Sequence, residues 1–371
     1  MKKAKSIFYI GTILSILIAV ILIHSFQNHT PQASDWMIRQ INRDFSRFTN
    51  QTSLSQKKII QIAENPAYDD CLFVHFSIQK NKVSMSHRIS PSHILAKEHL
   101  YPRMRALQNS LQQTVKKYPL PDMDFIISIH DALHTPFDIP IFVMAKTDQL
   151  TNQILIPDFT ALRGQYQVLP SQDITKEGVI PSWEKRKQQL IWRGGPGQHP
   201  PEGFAVSINP SDPHCLSRVK LCYLSTQYPE IINAKFSFLG PERASLSHFM
   251  GDFVPYEIQL MFKYQMLIDG FSCSYSTSGW RLFSGSLIFK EDSKHIQWYY
   301  NELKPYEHYV PVKEGLEDLI DKLKWAMTHD EEAKKIARQA REFALSNLTQ
   351  EKNRLYLHSA LVAYSKLNWV E

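Results

Sequence analysis

The chain has 371 residues, a length that fits two domains better than one. Hydrophobic residues make up 43% and charged residues 21%, which excludes a disordered or collagen-like chain and implies an ordinary packed core. The net charge of +6, with 15 histidines besides, suits a phosphate-bearing ligand or an anionic surface, but no Lys/Arg block marks a nucleic-acid partner.

The first element is an uncharged apolar run from Ile7 to Ile23, preceded by Lys2, Lys3 and Lys5. The run is about long enough to cross a bilayer core, so residues 1–26 are expected to form a single-pass membrane anchor, with residues 6–24 in the membrane. The lysines outnumber the positive charges just after the run, which keeps the N-terminus cytoplasmic. A signal peptide is the alternative, but the run is long for one, and Pro31 stands three residues before the cleavage point that Ala33 would offer. Residues 27–34 are polar and read as a short stalk.

From Asp35 to Ala63 apolar residues recur at helical spacing. Cys71–Ile78 reads as a strand, and Lys82–Met85 as its hairpin partner across a turn at Asn81. A helix is expected over His93–Lys117, ended by Pro119 and Pro121. Phe125–Ile129, Ile139–Ala145 and Ile154–Ile156 are short apolar runs with the signature of buried strands. Trp183–Gln189 reads as helical, and Gln189–Trp192 as a strand running into Arg193, Gly194 and Gly195. Further on come a helix over Arg218–Tyr228, a strand over Ala234–Phe238, a helix over Pro255–Met266, a strand over Leu282–Lys290 and a helix over Leu316–Met327. Asp330 is expected to cap the next helix, and Gln350–Trp369 closes the chain. Strands alternating with helices predict an α/β fold. The boundary falls near Lys187 and gives domains at 35–187 and 188–348, with 349–371 as a closing helix.

In open α/β sheets ligands bind beyond the carboxyl ends of the strands, which selects Asp131, Arg193–Gly195 and a loop over Ser276–Arg281. Two glycines after a strand let the backbone approach a ligand and offer N–H donors, though by themselves they read as a tight turn. Arg218 opens a helix, where dipole and guanidinium both favour phosphate; on spacing alone it is also a plain surface arginine. Arg281 stands in an apolar segment with no acidic residue between Asp269 and Glu291, so its partner is a ligand phosphate or a distant carboxylate. Asp131 ends the FIISI strand, where a carboxylate serves as a general base or caps a turn. His130 and His134 beside it read as turn residues. Cys71, Cys215, Cys222 and Cys273 form no CxxC pair, which argues against zinc and leaves disulfides and free thiols open. No DxD signature accompanies Asp148 or Asp158.

Together these segments resemble glycosyltransferase family 90, which includes protein O-glucosyltransferases, capsule-associated proteins and lipopolysaccharide-modifying proteins. PDMDFIISIHD (121–131) is similar to the segment that leads to the family's catalytic aspartate, which assigns that role to Asp131. IWRGG (191–195) resembles the phosphate loop, and Arg218 the arginine that grips the nucleoside diphosphate. DG…STSGWR (269–281) resembles the small-residue loop, Ser276, Thr277, Ser278, Gly279 and Trp280, with the second phosphate-binding arginine, Arg281. The chain departs from the pattern at Gly195, often serine in the family, at Ser217, where the family has an acidic residue, and in the long loop between Gly195 and Arg218.

The resemblance implies two Rossmann-like domains facing a cleft (the GT-B arrangement). It also implies an inverting reaction with no metal and no cofactor beyond a nucleotide-sugar co-substrate, UDP-linked. The acceptor is a hydroxyl of a glycan, lipopolysaccharide or protein. A non-catalytic scaffold that binds nucleotide sugar is the competing reading, opposed by the presence of Asp131 together with all three arginines. A peripheral membrane protein is a third, opposed by the mixed charge of the segment from Glu331 to Leu348. An N-in anchor places the body outside the cytosol, where nucleotide sugars occur in a secretory lumen and not in a bacterial periplasm, so either the cell is eukaryotic, or the body stays cytosolic against a weak charge bias, or the donor differs. The N-x-S/T sites at Asn28, Asn50 and Asn347 fit a lumen but also arise easily by chance.

Overall fold

The computed structural model describes residues 33–49, 53–91, 96–131, 133–147, 149–150, 152–168, 172–197 and 205–370. The expected anchor at 1–26 lies outside them, as does the stalk at 27–34 apart from its last two residues. Among the described residues no helix is long and apolar enough to cross a membrane.

Helix α1 (Asp35–Phe45) buries Trp36, Met37, Ile41 and Phe45 along one stripe and exposes Arg39 and Arg43, the period of an amphipathic helix. The helical pattern expected through Ala63 is interrupted. Strand β1 (Leu54–Ser55) intervenes before α2 (Gln56–Ala63). Strands β2 (Phe73–Gln79) and β3 (Lys82–His87) form the expected hairpin, with Lys80 and Asn81 at φ 49° and 61°, the left-handed pair that a two-residue turn requires. Helix α3 (Tyr101–Lys117), β4 (Met123–Ser128), β5 (Ile141–Val143), β6 (Lys146–Thr147), β7 (Gln153–Leu155) and α4 (Phe159–Leu162) come next. The first sheet has the order β3-β2-β4-β5-β7, antiparallel through β3, β2 and β4 and parallel from β4 to β7.

The second half runs β8 (Lys187–Gly194), α5 (Ser217–Gln227), β9 (Ile232–Phe236), α6 (Tyr256–Gln259), β10 (Phe262–Leu267), α7 (Tyr275–Phe283), β11 (Leu287–Glu291), β12 (His295–Ile296), β13 (Val310–Val312), α8 (Leu319–Thr328), α9 (Asp330–Asn347), α10 (Gln350–Ser365) and β14 (Trp369–Val370). Its sheet has the order β9-β8-β10-β11-β13, and every pair is parallel. In chain order this is 2-1-3-4-5, a doubly wound sheet whose direction of winding reverses between β8 and β10. That reversal opens a crevice at the carboxyl ends of the two strands.

Residues 35–371 form one compact mixed α/β unit. Both ends of this unit cross between the sheets. Trp36 of α1 stacks on Trp298 at 5.4 Å, and α10 returns to the first half, where Asn353 donates to the Ala161 carbonyl and Tyr364 to that of Asp124.

Several expected elements differ. The helix expected over Pro255–Met266 stops at Gln259, and Phe262–Leu267 is instead the central strand β10, all six residues buried. Ile258 and Met261, which a continuous helix would set on one face with Phe262 and Met266, are exposed while the other two are buried in the strand. Trp183–Lys185 is a single 3-10 turn, since the backbone from Lys187 onward is taken up by β8. The loop expected over Ser276–Arg281 is helix α7, and the strand expected from Leu282 begins only at Leu287, after a turn at Gly285 with φ +66°. Asp330 starts α9 without capping it by its side chain. Its carboxylate instead accepts from Lys263, a nearly buried amine on β10 that needs a partner, and from Trp183 Nε1. The last helix ends at Ser365, and β14 pairs with β1. All four cysteines are free thiols. Asn28 and Asn50 lie outside the described residues. Asn347 is committed, accepting from Trp36 Nε1 at 2.9 Å and donating to the Phe343 carbonyl.

Candidate active site

The crevice between β8 and β10 is lined by Gly194–Gly195 at the end of β8 and by Ile268–Asp269 just past β10. Helices α5 and α7 come next in the chain after these segments, so their N-terminal ends turn toward the crevice, the end at which free N–H groups and the dipole favour an anion.

Arg218, in the first turn of α5, ties the two segments together. Its Nε donates to the Asp269 carbonyl, Nη1 to those of Gly195 and Gly197, and Nη2 to that of Ile268, all at 3.0–3.2 Å. Burial pushes this guanidinium down to about 10, against the opposing pull of Asp269 and Glu291. Arg193 is clamped similarly, donating to the carbonyls of Trp192, Asn233 and Asp252 and to Asn233 Oδ1. These carbonyl and amide contacts hold both side chains in fixed positions.

Arg281 is different. It is 3% exposed, its Nε has no hydrogen-bond partner, and no carboxylate among the described residues pairs with it. Burial is the main influence lowering it to about 10, and the neighbouring Arg218 adds to the fall. One oxygen of Asp269, Oδ2, is likewise buried without a partner, although Oδ1 accepts from the Ser274 N–H. The crevice therefore leaves open a buried cationic donor and a buried acceptor, a combination that native proteins ordinarily satisfy.

The remaining residues expected on the α7 segment are mostly structural. Ser278 is fully buried, donating to the Tyr275 carbonyl and bonded to Tyr299 and Gln297. Gly279 packs beneath the ring of Tyr166; a Cβ there would stand closer than 3.0 Å to the ring, and Tyr166 is itself fixed by its bond to buried Asp158. Trp280 is buried and stacks on Tyr256 at 4.5 Å. Thr277 donates to the Ser274 carbonyl, and Ser276 contributes backbone at the start of the helix. Gly194 still belongs to β8, where its carbonyl accepts from the Ser237 N–H. At Gly195 the missing side chain leaves room for the ring of Phe238, which lies against it and is 63% exposed.

Asp131 stands just beyond β4, half-exposed. Its Oδ1 accepts from Arg103 Nη1 at 2.9 Å, and its main-chain carbonyl accepts from the hydroxyl of Tyr275, the first residue of α7. The aspartate of the first half is thus joined to the helix that carries Arg281.

Ser217 stands where an acidic residue was expected, but a carboxylate reaches the place from elsewhere. Glu291, at the end of β11, accepts from the Ser217 hydroxyl and from the Gly315 N–H. Burial pushes Glu291 up to about 7, with Asp269 and Glu314 adding to the rise against those two hydrogen bonds. The unfolded chain ionises this group near 4.5 and the folded chain near 7. Its contribution to stability is therefore whole below about pH 4.5 and lost as pH rises to about 7, on the order of 3 kcal/mol in all. Glu291→Gln keeps an acceptor for both donors and removes the titration. Melting curves between pH 5 and 8 are expected to fall less steeply for the variant; equal slopes would show that Glu291 does not titrate in this range.

Arg103, Tyr275 and Glu291 carry no signal in the sequence that marks them as site residues. Arg103 sits two residues from the exposed Arg105 in the same helical run, and nothing in composition separates them. Tyr275 opens a segment expected to be loop. Asp148 lies outside the described residues, and Asp158 caps α4. Among the described residues no three His, Cys, Asp or Glu side chains gather as a metal site requires.

Residues 29–371 match the sequence model described as glycosyl transferase family 90. Protein O-glucosyltransferase 2 of Danio rerio is 29% identical over 275 residues, covering 69% of this chain and 50% of that protein. Human protein O-glucosyltransferase 3 is 28% identical over 281 residues, covering 69% and 49%. Protein O-glucosyltransferase 1 of Rattus norvegicus is 25% identical over 284 residues, covering 71% and 67%. The chain thus spans about half the length of the first two.

Proposed function

This chain belongs to glycosyl transferase family 90, and from that membership we propose that it transfers a sugar from a UDP-linked donor to a hydroxyl of a protein or glycan acceptor. The two sheets act as the two lobes of a GT-B arrangement, divided near Lys187, with the donor in the crevice of the second lobe and the acceptor approaching from the first.

The observation that carries this reading is Arg281, a buried guanidinium without a carboxylate partner beside Arg218. An uncompensated buried charge is costly, and a ligand diphosphate would neutralise it. The open Asp269 oxygen asks for a hydroxyl donor, which the sugar or ribose of the same ligand supplies. Asp131 takes the proton from the acceptor hydroxyl as its oxygen bonds to the anomeric carbon. The bond from that carbon to the diphosphate breaks on the opposite face, which inverts the configuration. Arg281, the fixed charges of Arg218 and Arg193, and the N–H groups just past Gly194 and at the starts of α5 and α7 hold the charge of the departing diphosphate. Ser276, Thr277, Ser278, Gly279 and Trp280 shape and brace the helix that presents Arg281. No metal enters this scheme.

The test is thermal unfolding of the purified full-length chain in EDTA against nucleoside diphosphates and nucleotide sugars. A ligand at 100 times its dissociation constant adds about 2.7 kcal/mol, which a melting curve resolves. Stabilisation by UDP and a UDP-sugar supports the reading. A chain that none of them stabilises, or that needs a divalent ion to respond, overturns it.

A further inference from the structure

Asp131 is held more firmly than a proton acceptor on a half-exposed turn needs for folding. Arg103 reaches it from α3, 28 residues earlier in the chain, and its Nη1 bonds both Asp131 Oδ1 at 2.9 Å and the Ile129 carbonyl at 3.3 Å. The guanidinium lies 5.0 Å from the centre of the Phe159 ring on α4, which fixes its plane. From the other side Tyr275 holds the Asp131 main-chain carbonyl. The carboxylate and its backbone are thus bonded from two elements, α3 and α7, and Oδ2 is the atom for which the structure gives no bond.

We propose that Arg103 is the positioning residue of the reaction: by engaging Oδ1 it turns Oδ2 toward the acceptor hydroxyl. The inference rests on the assignment of Asp131 as base. A lone ion pair at this exposure adds little to stability, with Arg103 at 22% and Asp131 at 36%. Its value lies in orientation, since a misplacement of about 1 Å in a reacting group costs roughly 100-fold in rate. Lysine offers its charge and its N–H donors to the same oxygens but lacks the planar guanidinium that lies over Phe159, so it restores the contact incompletely.

The experiment tracks UDP release from UDP-glucose, with water as acceptor, by the full-length chain and its Arg103→Met, Arg103→Lys, Asp131→Asn and Arg103→Met/Asp131→Asn variants. Stabilisation by UDP is measured on each. Arg103→Met is expected to lower kcat about 100-fold with the KM for UDP-glucose and the response to UDP unchanged. Arg103→Lys is expected to recover part of that rate. In the Asp131→Asn background the same Arg103→Met change is expected to cost less than about twofold, because it acts through a group already disabled. A wild-type kcat in Arg103→Met overturns the proposal, and so does a loss that persists undiminished when Asp131 is Asn. An Asp131→Asn variant as fast as wild type, or a wild type that releases no UDP, counts instead against the function proposed above.

Discussion

Asp131→Asn is expected to reduce sugar transfer by on the order of 10²–10⁴-fold while UDP still raises the melting temperature as it does for the unaltered chain. The carboxamide keeps the size of the side chain and can still accept from Arg103, so the local structure survives the change. It cannot take a proton at the acceptor hydroxyl. The proposed diphosphate site lies in the second half and comprises Arg218, Arg281 and the two loops, none of which the substitution alters. The measurement is a pair, rate and nucleotide-induced stabilisation, on the same preparation. Equal loss of both would falsify the role, because a residue needed for binding as much as for turnover is not acting as the base.

Arg281→Met is expected to behave in the opposite sense in its two readouts. Without ligand the variant should be at least as stable as the parent, because a buried guanidinium with an unpartnered Nε is replaced by an apolar chain of similar length. Exchanges of buried charge for well-packed apolar side chains are often neutral or stabilising by about 1–4 kcal/mol. With UDP the variant should show almost none of the parent's stabilisation, and transfer should fall by on the order of 10²–10³, the loss typical when one charge-stabilising donor is removed. The same residue then destabilises the empty protein and supports the loaded one, the trade expected where a site is strained for function. A variant that melts several degrees lower without ligand yet still responds to UDP would make Arg281 a structural cation and leave the diphosphate to Arg218.

Much of the scaffold is legible in the sequence because it obeys local periodicities. The hairpin at Lys80–Asn81, the buried run at Phe125–Ile127 and the helix beginning at Ser217 arise from alternation, apolar runs and helical spacing. The central strand β10 is not legible, because a strand buried on both faces has no alternation and its apolar residues happen to fall at helical intervals with Ile258 and Met261. Helix α7 escapes for a complementary reason. It meets Tyr166 of the first half through Gly279, and a helix that packs by a glycine carries little apolar signal there. The site divides the same way. Asp131 and Arg218 stand at a strand end and a helix start that local pattern singles out, whereas Arg281, expected on a loop, lies on helix α7 near Arg218. The contacts that join its halves, Arg103 with Asp131 and Tyr275 with the Asp131 carbonyl, span 28 and 144 residues, and no local pattern encodes them.

Tyr275 and Arg281 lie on one helix, so one end of it holds Asp131, the proposed base, while the other carries the cation proposed to meet the diphosphate. Six residues at 1.5 Å each set their axial separation at about 9 Å. Such a gauge cannot be adjusted finely. One inserted residue would advance the far end by about 1.5 Å and swing it by roughly 100°, carrying Arg281 out of the crevice and Gly279 out from under Tyr166. Insertions and deletions should therefore be rejected within α7, where both contacts depend on its exact length.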